Sequence, residues 1–159
     1  MPVSNAKAPV LSGGAEAPDT IPGYRFDGNG HYYTVVRFKD HISWMQAARM
    51  ASDLRRKGQK GHLVTITSAA ENEFVTQHFR ADGTNGLYIG AYQDLRASDF
   101  REPAGGWRWV TGEPFRYTNW RSSEPNDRVG NANIVNLYPD GTWNDCVDGD
   151  ANGFIVEFD

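Results

Sequence analysis

The sequence predicts an α+β fold: two helices lead, and short, mostly antiparallel strands joined by long loops follow. Three observations predict it. Two segments, headed by Ser43 and Ser68, carry helix start signals and apolar residues at helical spacing. Beyond Asp82 that spacing does not return, and the chain breaks into short apolar runs between Gly, Pro, Asn and Asp. The longest loop, Pro114 to Asn133, has no element of its own, and such loops in compact domains usually carry function.

Taken in order, residues 1 to about 22 are rich in Ala, Pro, Gly and Ser and read as a disordered arm or linker. The ordered domain spans 23–159. His31 to Val36 is a β-rich run after a Gly28-Asn29-Gly30 turn signal. Ser43 with Gln46 matches a capping box, and Trp44, Ala47, Ala48, Ala51 and Leu54 recur on one helical face, with Gly58 ending the helix. Leu63 to Ile66 reads as a short strand. Ser68 with Glu71 matches a second capping box, opening a helix through about Phe79; Phe74, Val75 and His78 line one face, where His78 is a packed or half-exposed helix residue rather than a metal ligand. Strands are then expected at Leu87–Ala91, Gly106–Val110, Asn133–Leu137 and Gly153–Phe158, and Asp140-Gly141 signals a hairpin that leads into a buried Trp143.

The whole-chain numbers narrow the function. A length of 159 residues suits one domain with a core of its own. A formal charge of −4 argues against a nucleic-acid partner, and the Arg55-Arg56-Lys57 cluster reads as a solvated helix end. No apolar run of about eighteen residues exists, so no membrane insertion is expected. The first twenty residues lack the pattern of a signal peptide. Cys146 is the one cysteine, so the fold stands on packing rather than on an internal disulfide. His31, His41, His62 and His78 are spread without metal-ligand spacing, and no hydrolase, zinc-protease, P-loop or dinucleotide motif is present, so no enzyme is expected.

Two short motifs stand out in the second half: Glu124-Pro125-Asn126 and Trp143-Asn144-Asp145. Their side chains offer hard oxygens, the ligand type of Ca²⁺, which takes six to eight of them. A Pro between two such residues restricts the backbone, and a cis Glu-Pro bond would aim both side chains at one point. Glu124 and Asp145 could imitate a glycosidase carboxylate pair, but carboxylates that hold a cation are not free to carry a proton.

These motifs resemble the sugar-binding signature of the C-type lectin domains in its Glu-Pro-Asn form. Further blocks follow the family order: Tyr32-Tyr33, Ser43-Trp44, His62 to Ile66 with Ser68 to Glu73, Tyr88-Ile89-Gly90-Ala91, Trp107 to Glu113, Tyr117 to Trp120, and Phe154 to Phe158. The resemblance implies a C-type lectin-like fold with a long calcium- and sugar-binding loop, and an extracellular or cell-surface setting. It implies one Ca²⁺ held by Glu124, Asn126, Asn144 and Asp145, the last through its side chain and its carbonyl. Two neighbouring sugar hydroxyls would sit on the ion, each bonded also to a carboxylate and an Asn amide, with Arg128 at the rim. Glu followed by Asn resembles the mannose-type subgroup, so mannose, glucose, N-acetylglucosamine and fucose are the expected sugars. The carbohydrate partner would need several copies of the site, by homo-oligomer or multidomain context, for useful avidity.

The chain departs from the family in two places. Ala51, Ile134 and Val156 stand where three cysteines are usual, with Cys146 as the surviving fourth, a pattern that resembles bacterial members. Ala132 stands where a further acidic ligand is usual, with Asn131 and Asn133 on the opposite strand face; weakened calcium binding is the expectation, since ligand charge tunes affinity. Asp94, Asp127 and Asn133 are loose candidates for an auxiliary calcium site. A calcium-independent protein-binding module with the same fold is the alternative function.

Overall fold

The computed structural model describes residues 21–80 and 86–159. Strands near its two ends lie side by side and frame the fold. β1 (Tyr24–Arg25) and β2 (Tyr32–Ile42) precede α1 (Trp44–Asp53), β3 (Arg55–Arg56), β4 (Gln59–Lys60) and β5 (His62–Leu63). After α2 (Ala69–His78) come β6 (Leu87–Gln93), β7 (Trp107–Trp109), β8 (Ile134–Leu137), β9 (Trp143–Cys146) and β10 (Ala151–Phe158). The main sheet runs β1-β2-β10-β6-β8-β9, with β5 added to β10 and β7 to β6. β10 and β6 are parallel at Phe154 and Tyr88, and the other named pairings are antiparallel. The architecture is the α+β arrangement expected. The run expected at His31–Val36 extends to Ile42, paired with β10 from Tyr32 to Arg37 and again at Ile42 across a register shift. The arm assigned to residues 1 to about 22 lies outside the described residues except for Ile21, which packs on the core, and Pro22, whose carbonyl accepts the Thr34 hydroxyl proton at 2.6 Å.

The first helix starts where its cap predicts. Ser43 Oγ accepts from the Gln46 amide at 3.1 Å, and Gln46 Oε1 accepts from the Ser43 amide at 2.9 Å, so the capping box is closed. Its end is different. The helix stops at Asp53, and Gly58 belongs to a hairpin between β3 and β4. Lys57 and Gly58 both have positive φ, 48° and 79°, the pair a tight primed hairpin turn requires. The Arg55-Arg56-Lys57 cluster is therefore hairpin, not helix end. At the second helix the Ser68 cap is present, with the Glu71 amide donating to Ser68 Oγ at 3.1 Å, but Glu71 does not reach back to close a box. Its carboxylate turns inward and accepts from the Tyr33 hydroxyl at 2.6 Å and the Thr67 amide at 2.7 Å. His78 packs against the rings of Phe74 and Tyr24, as its place on the helix face predicts.

Two clusters make the core. One holds Val75 and Phe79 of α2 with Tyr33, Ile89, Trp107, Trp109, Val135 and Trp143. The other holds Trp44, Ala47 and Ala51 of α1 with Tyr88, Cys146, Phe154, Val156 and Phe158, and Ile134 packs against it. The four positions where cysteines were expected thus meet in one apolar cluster, and Ile134 lies directly opposite Cys146 in the β8–β9 register. Each fully buried aliphatic side chain contributes about 1.5–3 kcal/mol, comparable to the few kcal/mol of a disulfide.

Candidate metal and ligand site

The hairpin β8–β9 carries half of the site, and its turn is built from local chemistry. Asp140 Oδ1 accepts from the Thr142 amide at 3.0 Å and the Thr142 hydroxyl at 2.6 Å. Gly141 sits at φ +85°, where a Cβ would come within 2.8 Å of Thr76 Oγ1. Its carbonyl accepts from the side-chain amides of Asn72 at 3.0 Å and Asn119 at 2.6 Å, tying the turn to α2 and to the long loop.

Trp143, fully buried, is the peg on which the long loop hangs. Its indole Nε1 donates to Asn72 Oδ1 at 2.8 Å. The rings of Trp109, Phe115, Tyr117 and Trp120 surround it, with centroids 5.6 to 6.3 Å away. Its main chain clamps the loop base: the Trp143 amide donates to the Asn119 carbonyl at 2.9 Å, and the Arg121 amide donates to the Trp143 carbonyl at 2.8 Å. Residues 124–126 are thereby held beside Asn144 and Asp145.

At the tip the Glu124–Pro125 bond is cis, and Ser123 and Asp127 have positive φ of 71° and 45°. Asn126 Nδ2 donates to Glu124 Oε1 at 3.0 Å, so the two side chains do converge. Asp145, 5% exposed, receives the Asn126 amide at 3.0 Å and the Asp127 amide at 2.7 Å. The two motifs, some twenty residues apart in the chain, are one structure. Asn144 is half-buried and donates to Asn136 Oδ1 at 3.2 Å. Arg128 is exposed, with its amide donating to Asn126 Oδ1 at 2.9 Å.

The electrostatics fit a cation. Glu124 Oε2 is buried with no hydrogen-bond partner among the described residues. Burial first, and then the adjacent Asp145 carboxylate, pushes the Glu124 carboxyl up to about 7, while Arg121 and Arg128 pull the other way. Two carboxylates held together with one orphaned oxygen gain from a positive ion between them. Asp145 still has lone pairs to offer, because an ionised carboxylate accepts about four hydrogen bonds.

Ala132 is buried, and its amide donates to Asp127 Oδ1 at 2.9 Å. Strand alternation does not reach it: β8 begins at Ile134, and the Asn133 amide turns back to the Asn131 carbonyl at 3.1 Å. Asp94 caps its own turn through the Arg96 amide at 3.0 Å, and Asn133 lies on the neighbouring backbone, its carbonyl accepting from the Gln93 amide. Sequence reasoning missed Arg121, which lies over the Tyr138 ring at 5.1 Å and acts electrostatically on Glu124. Its signal was faint: only the turn from Arg121 to Glu124, whose amide donates to the Arg121 carbonyl, brings it there.

A cavity of about 530 Å³ opens beside Trp107, Phe115 and Trp120 and includes none of Glu124, Asn126, Asn144 or Asp145 in its lining. An ion-centred site needs no deep cleft, because the ion itself supplies the contact, so the cavity does not define the site.

Residues 43–158 match the family model of the lectin C-type domain. The chain is similar to pulmonary surfactant-associated protein D of Bos taurus, 40% identical over 98 residues, which are 62% of this chain and 24% of that protein. It is similar to C-type lectin domain family 4 member G of Mus musculus, 34% identical over 142 residues, 88% of this chain and 42% of that protein. It thus spans less than half the length of these relatives. Among solved structures, the C-type carbohydrate-recognition domain of cow CD23, determined in the presence of a GlcNAc2Man3 oligosaccharide, superposes with a TM-score of 0.63 at 27% identity, covering 80% of this chain and 86% of that one. The aromatic peg at Trp143, the loop clamped upon it, the fold and these matches agree: the chain belongs to the C-type lectin domain family.

Proposed function

We propose that this domain binds carbohydrate through one Ca²⁺ held by Glu124, Asn126, Asn144 and Asp145, with Arg128 at the rim. One observation carries the reading: the buried, unpartnered Glu124 Oε2 beside the Asp145 carboxylate. Glu124, Asn126 and Asp145 lie together, with Asn144 next along the strand, and this mix of acceptors and amide donors supports a pair of neighbouring hydroxyls, each giving a proton to a carboxylate and taking one from an amide. The order Glu then Asn supports equatorial vicinal hydroxyls, as in mannose, glucose, N-acetylglucosamine or fucose. The likeness to a carbohydrate-recognition domain determined with a GlcNAc2Man3 oligosaccharide points the same way. With Ala132 in place of a further acid the ion meets two carboxylates, and the affinity belongs in the range of extracellular modules, a Kd of about 10⁻⁴–10⁻³ M. An extracellular or cell-surface role follows, with several copies needed for avidity. The role is binding, not catalysis, because both carboxylates are committed to the ion. No helix among the described residues is long and apolar enough to cross a membrane.

The test is calorimetric titration of Ca²⁺ into the chelator-treated chain with a parallel thermal melt. Saturable uptake and a raised melting temperature are expected, both weakened at least about tenfold in effective concentration in Glu124→Gln. Immobilised mannose should then retain the chain until a chelator is added. Ala132 favours a second reading, a calcium-independent protein-binding module; no heat and no shift at millimolar Ca²⁺ would establish that reading instead.

A further inference from the structure

Four chemistry-bearing side chains from three parts of the sheet meet at one edge, well separated in sequence and sharing no residue with the loop site. His31 precedes β2, His62 lies in β5, and Glu157 and Asp159 end β10 and the chain. Register brings them together: Glu157 lies opposite Tyr33 of β2 and opposite His62 of β5. His31 Nδ1 is 2.7 Å from Glu157 Oε1 and 3.5 Å from Asp159 Oδ1, and His62 Nε2 is 2.9 Å from the same Asp159 oxygen. The ligand atoms of His31, Glu157 and Asp159 all lie within 4.8 Å of one another.

The tautomer of His62 is an independent observation. Its Nδ1 faces the Leu63 carbonyl at 2.8 Å. A carbonyl only accepts, so Nδ1 carries the proton. A neutral His62 then turns the lone pair of Nε2 straight at an Asp159 oxygen, acceptor against acceptor. That contact takes a second proton on His62, and the imidazolium then pairs with Asp159. The charge around it favours a cation too. Glu157 and Glu71 are each 2% exposed, and both lie within reach of the single Tyr33 hydroxyl proton, at 3.2 and 2.6 Å. Carboxylates buried this deeply need compensation.

We propose that His31, Glu157 and Asp159 form a second metal site, taking one divalent transition-metal cation of the Zn²⁺ type, with His62 bonded to Asp159 from outside the ligand group. One imidazole nitrogen with two carboxylate oxygens and an open fourth position suits Zn²⁺ rather than Ca²⁺, whose ligands are all oxygen. Tetrahedral ligands at 2.0–2.2 Å stand about 3.4 Å apart. The His31 separations of 2.7 and 3.5 Å lie on either side of that value. The outer groups are already placed. The Leu63 carbonyl orients His62, and the Thr65 amide and hydroxyl hold Glu157 Oε2 at 2.9 and 3.1 Å, leaving Oε1 for the ion. Solvent reaches the edge, since the side chains of His31, His62 and Asp159 are 31%, 18% and 64% exposed. An ion there ties the start of β2 to the end of β10, a staple in a chain whose single cysteine cannot supply one.

The full chain, stripped of metal and then saturated with Ca²⁺ so that the loop site is filled, is titrated with Zn²⁺ by calorimetry in two buffers of different ionisation heat. Expected are uptake of one ion per chain, proton release, a raised melting temperature, and the intense visible bands of tetrahedral Co²⁺ when Co²⁺ is used. His31→Gln, His62→Gln and the exposed Asp159→Asn should each weaken uptake by more than about tenfold, the least that losing even an outer-shell partner costs. His78→Gln, outside the cluster, should leave it unchanged. No saturable uptake, or uptake undiminished in all three cluster variants, overturns the proposal and leaves a proton-bridged network at this edge.

Discussion

Glu124 is where a single residue decides most. Its ordinary carboxyl titrates near 4.3, and in the metal-free fold it is pushed up to about 7. The folded state therefore holds a proton that the unfolded chain releases, and this holds between about pH 4.5 and 7. Stability of the metal-free protein falls as pH rises through that window and stays lower above it. Calcium reverses the sign, because the ion replaces the proton. The rise in melting temperature caused by Ca²⁺ should be small near about pH 5 and grow through about pH 7. Melts with and without Ca²⁺ across that range check it, and a calcium effect independent of pH would deny Glu124 a place on the ion. Glu124→Gln removes the repulsion with Asp145 while keeping the side chain's shape. It should melt higher than the parent in chelator near about pH 8 and need at least about tenfold more Ca²⁺ for the same rise. Asp145 is a different case, since its oxygens hold the amides of Asn126 and Asp127 with or without an ion.

The hairpin β8–β9 and the long loop are one element joined by Trp143. Trp143→Phe keeps an aromatic ring but leaves Asn72 Oδ1 without its donor and opens space among four rings. A loss of about 2–3 kcal/mol is expected by chemical denaturation, with weaker Ca²⁺ uptake, because the peg holds the loop base. Gly141→Ala meets both a positive φ and the Thr76 hydroxyl, and should cost about 1–2 kcal/mol. Elements of this kind were partly legible in the sequence. Ser43 and Gln46 announce the first helix because a cap is local chemistry, and Asp140-Gly141 announces the hairpin for the same reason. The end of that helix was not legible, since Lys57-Gly58 is a turn pair without the Asn-Gly signature and Gly58 serves as well to end a helix. Glu71 looked like half of a capping box, yet it is drawn inward by Tyr33, a residue 38 positions away. The loop site was legible because its residues stand in two tight motifs. The cluster at His31 and His62 was not, because only the pairing of β10 with both β2 and β5 assembles it.

At the scale of the whole molecule the fold is closed by the strands near its two ends, and packing carries that closure. Ala51 and Val156 bury, and Ile134 packs half-buried, where sulfur was expected, and Cys146, 2% exposed with its thiol pushed well up by burial, is inert. Melting of the native chain should therefore be indifferent to a reductant. The β8–β9 register allows a stronger test of this replacement. Ile134 and Cys146 are directly cross-strand, and such pairs stand about 4.5–5.5 Å apart at Cα, inside the range a disulfide spans. Ile134→Cys should form a bridge to Cys146 on mild oxidation. Closing a loop of this size is worth about 3 kcal/mol in the unfolded chain, against about 1–2 kcal/mol for the lost isoleucine packing. The oxidised variant should melt about 3–6 °C above the parent and the reduced variant below it. Free-thiol titration reports bridge formation, and paired melts report its sign. A bridge that forms without raising the melting temperature would mean that the apolar cluster already matches what a disulfide supplies at this position, and that its loss in this chain carried no penalty in stability.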